Sequence, residues 1–183
     1  MSEGLTALRA ASVRHSAADF AGTIRAYYPF WDAQYRPYLV AAVRRLPVEK
    51  FDWKPQPGMF TARQIVLHIA EVERWWVDHL AGGQPYEDYV TEGPGGVGWA
   101  DAIAAPDHAA LLALLEQHHE PTQRLFREPA KELSRDVVIP AKGGGTRSIT
   151  LHWLLDHVQE HEIHHRAQLN MYLRLLDIAP PSI

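Results

Sequence analysis

Between Ser148 and Leu176, the residues Leu154, His157, Val158, His161, His165, Leu169, Tyr172 and Leu176 recur at steps of three and four. That spacing lines one face of a single long helix, and a face of this length has to be covered by other elements. Three of its positions hold histidine where the pattern calls for hydrocarbon. The fold must therefore enclose this helix and give its imidazoles partners.

Three further segments repeat the pattern. From Asp32 to Leu46 the inner side carries Tyr35, Leu39, Ala42, Val43 and Leu46, and Pro47 ends it. Pro37 removes a backbone donor there, so this helix either kinks or begins only near Arg36. Thr61 and Gln64 form a capping-box signature ahead of a helix over about 62–81, which Gly82-Gly83 stops. Its stripe reads Ile65, His68, Ile69, Val72, Trp76, Leu80, again with one histidine in an aliphatic place. A third helix is predicted over roughly Asp107 to Arg127, with Leu111, Leu114, Leu115, Thr122, Leu125 and Phe126 inside and Pro129 beyond.

Strand signal is nearly absent, with only 134–141 (Val137-Val138-Ile139) reading as extended. The expectation is an all-α chain, an antiparallel four-helix bundle over 31–183 whose sites lie between facing helices. Residues 1–30 read as an N-terminal extension with a short helix around Ala17 to Tyr28, ended by Pro29 and packed on the bundle. Gly93-Pro94-Gly95-Gly96 and Gly143-Gly144-Gly145 mark two loops. The link from Gly82 to Pro106 is too long for a tight hairpin and is expected to cross an end of the bundle as a lid.

Composition removes several chemistries. There is no cysteine, so disulfides, thiolate metal sites and a cysteine nucleophile are excluded, and any metal must sit on nitrogen and oxygen. Eighteen Lys and Arg against twenty-two Asp and Glu leave a formal charge of −4, which disfavours nucleic-acid binding. No apolar run has the length of a membrane span or a signal peptide, and a cytoplasmic protein is expected.

The eleven histidines carry the functional argument. Residues four apart on a helix differ by about 40° and about 6 Å, so His161 and His165 can converge on one ion. His68 from a neighbouring helix would close the triangle. Three neutral imidazoles plus an open position suit zinc, nickel or iron, and the open position marks a catalytic rather than a structural site. His157, one turn earlier, is expected beside the ligands as a hydrogen-bond partner. His164 points about 100° away from His165 and is expected outside, as are His118, His119, His79, His108, His15 and His152.

His161-Glu162-Ile163-His164-His165 also satisfies H-E-x-x-H, the pattern in which two histidines hold zinc and a glutamate activates water. A zinc peptidase usually takes its third ligand from downstream, and after His165 the one acidic or histidine side chain is Asp177. Peptide hydrolysis is accordingly disfavoured, while Glu162 stays a candidate base. Gln168, seven residues after His161 and three after His165, shares their side and would orient substrate or a ligand. Arg166 is expected to point away, toward an acidic group or a partner subunit. Trp75, Trp76, Trp99 and Tyr172 read as core, with an apolar pocket near the metal as their functional alternative. The charged stretch Arg124 to Arg135 reads as a solvated helix end.

Leu67-His68-Ile69-Ala70-Glu71 and the run from His157 to Leu169, with Leu46-Pro47, Phe51-Asp52-Trp53-Lys54-Pro55 and Pro57-Gly58 between the first two helices, resemble the DinB-like (DinB/YfiT) family over roughly 31–177. The resemblance implies a four-helix bundle, commonly a homodimer, with a divalent metal held by one histidine of helix two and two of the last helix. By position these are His68, His161 and His165. Ala167 stands where relatives often carry glycine, which bears on helix approach at a dimer contact rather than on the metal. Members with assigned activities are metal-dependent transferases using low-molecular-weight thiols such as bacillithiol or mycothiol, and others are labelled metal-dependent hydrolases. The expectation for this chain is a thiol transferase acting on a small-molecule substrate with an external thiol cofactor. The alternatives are a metal-dependent hydrolase of a small ester or amide, and a non-catalytic metal-binding, stress-associated dimer.

Overall fold

The structure, a computed structural model, describes residues 15–84, 105–141 and 144–182. Four helices dominate. Helix α1 spans Arg36–Arg45 and is entered through a π-helical turn, Trp31–Tyr35. Pro37 lies in its first turn, where a missing donor costs nothing. Both readings of Pro37 thus meet: winding starts earlier, and regular α geometry starts at Arg36.

Helix α2, Ala62–Glu73, opens on the expected capping box, with Gln64 N donating to Thr61 Oγ1 at 3.1 Å and Thr61 N donating to Gln64 Oε1 at 2.8 Å. It continues as wider π-helical winding over Arg74–Ala81. At Gly82 a Cβ would lie 2.6 Å from the Asp78 carbonyl oxygen, so glycine is needed to close it. Helix α3, His108–Leu125, is capped by Asp107, whose carboxylate accepts from Ala110 N at 2.9 Å.

The first correction concerns strands. An antiparallel hairpin pairs β1 (Asp136–Pro140) with β2 (Thr146–Thr150), setting Val137 opposite Ile149 and Ile139 opposite Arg147. Its turn uses Gly144 and Gly145 at φ 101° and 75°, a conformation that side chains disfavour. Val137, Ile139 and Ile149 are buried, so half of the pattern is hydrophobic and too short to stand out. Ser148, read as the start of the last helix, belongs to β2. Helix α4 runs Leu151–Leu175, about 37 Å long, with Thr150 Oγ1 accepting from Trp153 N at 3.2 Å.

The extension differs too. Instead of one helix over 17–28 it makes two separate 3-10 turns, Ala17–Asp19 and Ile24–Tyr27. Ile24 N donates to Glu128 O at 3.0 Å and Ala130 N to Gly22 O at 2.8 Å, so the segment is fastened to the chain after α3. Ile24 and Tyr28 are core residues, and the Tyr28 hydroxyl reaches Asp156 Oδ1 at 3.0 Å.

Apolar side chains gather in two clusters. One holds Leu39, Val43, Ile65, Ile69, Leu111, Leu115, Leu169 and Leu173; the other holds Trp31, Val77, Phe126, Leu133, Leu151, Leu154 and Val158 with the hairpin. Each helix runs from one cluster to the other, and this fixes their senses. Helices α2 and α3 run from the first cluster to the second, α1 and α4 the reverse. Simple alternation therefore fails between α2 and α3, and the expected lid falls on residues 85–104, outside the described ones. Helix α2 packs on α3 and α4, and α1 packs on α4 and α3. Among the described residues no helix is long and apolar enough to cross a membrane.

Candidate metal centre

His68 projects from α2 and His161 and His165 from successive turns of α4. Their ring centroids are 4.7 Å (68–161), 4.6 Å (68–165) and 4.3 Å (161–165) apart, and one ligand-capable nitrogen from each lies within 4.8 Å of the others. Nε2 of His161 stands 3.0 Å from Nε2 of His68. An ion with nitrogen ligands at about 2.0–2.1 Å in tetrahedral geometry separates those ligands by about 3.3–3.4 Å, so little movement is required. The three residues fit a divalent metal.

Their electrostatics agree. Burial pushes His68 down to about 4 with help from His165, and burial together with its histidine neighbours pushes His161 to about 2. His165 is also lowered, chiefly by burial. All three rings are therefore neutral near pH 7 and offer lone pairs to a cation. His68 is 7% exposed, while His161 and His165 are half-buried, so the centre opens toward solvent from the α4 side.

Gln168 sits where the sequence places it. Its Oε1 lies 2.8 Å from His165 Nδ1, and because that oxygen only accepts, Nδ1 carries the proton and Nε2 is left for the metal. The amide nitrogen meets His164 Nε2 at 3.0 Å, with His164 exposed as expected. His157 is packed against aromatic rings, stacked on Trp153 at 5.1 Å with Trp76 at 5.0 Å, and its centroid is 6.5 Å from that of His161.

Glu162 is not brought to the three histidines. It is 2% exposed and faces α1, where Trp31 Nε1 donates to Oε2 at 3.0 Å and Arg36 Nη2 lies 2.9 Å from the same oxygen. Burial raises its pKa, opposed by Arg36. Arg36 also pairs with Glu73 of α2. The same Glu73 accepts from Thr122 Oγ1 at 2.5 Å and from His119 Nδ1 at 2.6 Å, and His119 Nε2 donates to Asp32 Oδ1 at 2.7 Å. A polar layer thus crosses all four helices between the two apolar clusters. Despite burial, Glu73 and Asp32 hold His119 up to about 9, so it is an imidazolium. Arg36 and His119 in turn hold Glu73 down to about 2.

This layer corrects the surface reading of two histidines: His119 is 1% exposed and His118 is also buried. His79, His108 and His152 are half-buried, and His15 is exposed. Arg166 points away from the triad, but onto α1 of its own chain, with Nη1 donating to Tyr35 O at 3.3 Å and its guanidinium over the Tyr35 and Tyr38 rings. The signal for the layer was present in the sequence. Glu73 lies four residues from both Ile69 and Val77, His119 four from Leu115, and Glu162 four from Val158, each in a buried stripe.

Beside His165 a cavity of about 470 Å³ opens, lined by Pro55, Met59, Phe60, Met171, Tyr172 and Leu175. Tyr172, read as core, therefore also borders the site; Trp75 and Trp76 pack edge to face at 4.9 Å elsewhere, and Trp99 lies outside the described residues.

Comparison with known proteins follows the same lines. Among solved structures, a DinB-like protein from Bacillus subtilis is similar with a TM-score of 0.58 at 19% identity, covering 81% of this chain and 90% of that one. A DinB-like protein from Bacillus cereus gives 0.60 at 18% identity, covering 88% and 97%. At these identities the likeness is one of fold. No curated protein matches. The model of the DinB family matches residues 26–183, a span that holds all four helices and the three converging histidines, and the chain belongs to that family.

Proposed function

We propose that this protein is a metal-dependent transferase that joins a low-molecular-weight thiol, of the bacillithiol or mycothiol type, to an electrophilic small molecule at the centre formed by His68, His161 and His165. The observation that carries this reading is the convergence of three neutral imidazoles from two helices beside a cavity. A bound divalent ion supplies positive charge that lowers the pKa of an incoming thiol or water. The chain's own residues hold and aim that ion. His68, His161 and His165 provide its ligands, and Gln168 keeps the His165 proton on Nδ1. With no cysteine in the sequence, the sulfur has to come from outside.

The placement of Glu162 favours thiol over water. Hydrolysis of an ester or amide wants a carboxylate to take the proton from water, and Glu162 is committed to Arg36 and Trp31 instead. A thiol, with an ordinary pKa of about 8.5, needs far less assistance.

The test loads the protein with zinc, nickel or iron and incubates it with an electrophile panel, with and without thiol, reading thioether products by mass spectrometry. Thiol-dependent product that disappears in His161→Ala supports the proposal. Turnover without thiol replaces it with hydrolysis, and a fully loaded but inert protein replaces it with a non-catalytic metal binder.

A further inference from the structure

The cavity beside His165 narrows what the substrate can be. Its walls are hydrocarbon, thioether and aromatic carbon, and the polar atoms that border it are already committed. The Tyr172 hydroxyl donates to the Phe60 carbonyl at 2.9 Å, so Tyr172 presents only its ring. The Gln168 amide is engaged by His165 and His164. Phe60 joins cavity to metal centre, since its ring centroid is 5.3 Å from that of His68. Met59, Met171 and Leu175 are 43%, 53% and 57% exposed and share one cavity rim, and contiguous exposed apolar surface of this kind marks binding grooves. Arg174 Nη1 lies 4.0 Å from Met171 Sδ in an exposed contact, and Arg174 itself does not line the cavity.

A volume of about 470 Å³ lies within the range of small-molecule sites, and methionines at the rim adapt to differing shapes. From these features we infer that the electrophile carries an uncharged apolar tail or ring that lodges between Phe60, Tyr172, Met171 and Leu175 while its reacting end faces His165. The inference rests on the reading of the triad as a metal centre and adds the substrate class. Hydrocarbon entering the cavity gives up water contact on both surfaces, whereas a charged tail would be desolvated without a partner.

The test separates the cavity from the metal. Zinc-loaded protein is titrated calorimetrically with n-alkyl hydroxamates from two to eight carbons, the hydroxamate serving as a metal-binding head. The expected result is about fourfold tighter binding per methylene until the cavity is full, with a carboxylate-ended chain of equal length at least tenfold weaker. Met171→Glu and Leu175→Glu, both at exposed positions, flatten the series to less than twofold per methylene, and zinc content of the same samples reports whether they fold. Metal-free protein is titrated in parallel with n-alkanols, which read the cavity alone.

Hydroxamates that bind with no dependence on chain length overturn the inference and leave the metal centre standing. Alkanols that show the increment while no hydroxamate binds overturn the metal reading and leave the apolar cavity. If sedimentation shows a dimer that Leu175→Glu dissociates, and the series is flat, a second copy of the chain covers this mouth and the inference fails.

Discussion

Nε2 of His68 and Nε2 of His161 face each other across 3.0 Å although the residues are 93 apart in sequence. Two neutral imidazoles at this distance share at most one proton, whereas a divalent ion between them satisfies both rings and His165 together. Removing either ring should cost more affinity than loss of an outer hydrogen-bond partner, which is worth about 10–100-fold. His68→Ala and His161→Ala are each expected to lose more than about hundredfold in zinc affinity, read by chelator competition, with unchanged far-ultraviolet circular dichroism. Full metal retention by both would remove the site.

Gln168 acts on the metal through His165. Gln168→Ala frees the Nδ1 proton that Oε1 now fixes, and the expected loss is about 10–100-fold in metal affinity. Gln168→Glu keeps an acceptor and should recover most of it. Equal affinities for all three proteins would show that the His165 ring is held by other means.

The position of Glu162 separates two roles by measurement. If its work is to hold α4 to α1, Arg36→Met strands Glu162 and Glu73 in the interior and lowers unfolding free energy by about 3–5 kcal/mol in urea titrations. The metal stoichiometry of the folded fraction stays the same. Glu162→Gln keeps the bond from Trp31 and should cost less than Arg36→Met. A Glu162→Gln protein of unaltered stability that has lost all turnover would instead make this glutamate the base that H-E-x-x-H suggests.

The same layer makes stability depend on pH. His119 is held at about 9 against an ordinary 6.5, so the fold favours its protonated form. That contribution is complete below about 6.5 and disappears as pH rises through 9. Asp32 and Glu73, held at about 2, contribute above their ordinary range near 4 and lose their share as pH falls toward 2. Urea midpoints should decline from pH 6 to 9.5, and the shift of His119 corresponds to roughly 3–4 kcal/mol at most. His119→Phe should abolish this alkaline decline.

Much of this architecture could be read from spacing. Thr61 and Gln64 announced the start of α2, and the stripe from Leu154 to Leu176 announced α4 with its two ligands. What escaped had identifiable causes. The hairpin has only three inward side chains, Val137, Ile139 and Ile149, on strands of five residues, too few for alternation to be decisive. The π-helical winding at Arg74–Ala81 leaves the three-and-four pattern almost intact while changing the backbone. His119 and Glu73 were polar intrusions in apolar stripes, as His68 was. No short motif singles them out, and a charge on a helix is ordinarily solvated, which is why His119 reads from sequence as a surface residue. Glu162 belongs to a motif that points to the metal, but at about 100° from His161 around the helix it meets Arg36 and Trp31.

The polar layer also sets the longitudinal register of the helices. Hydrocarbon surfaces tolerate sliding, because one leucine replaces another after a turn, but Arg36, Glu73, His119 and Glu162 have partners at one height only. A slip of α4 by one turn, about 5.4 Å, would carry Glu162 off Arg36 and at the same moment carry His161 past His68. The charged tier therefore indexes α4 against its neighbours, and the imidazole cage inherits its alignment from an ionic ratchet on the adjoining, α1-facing side of the same helix.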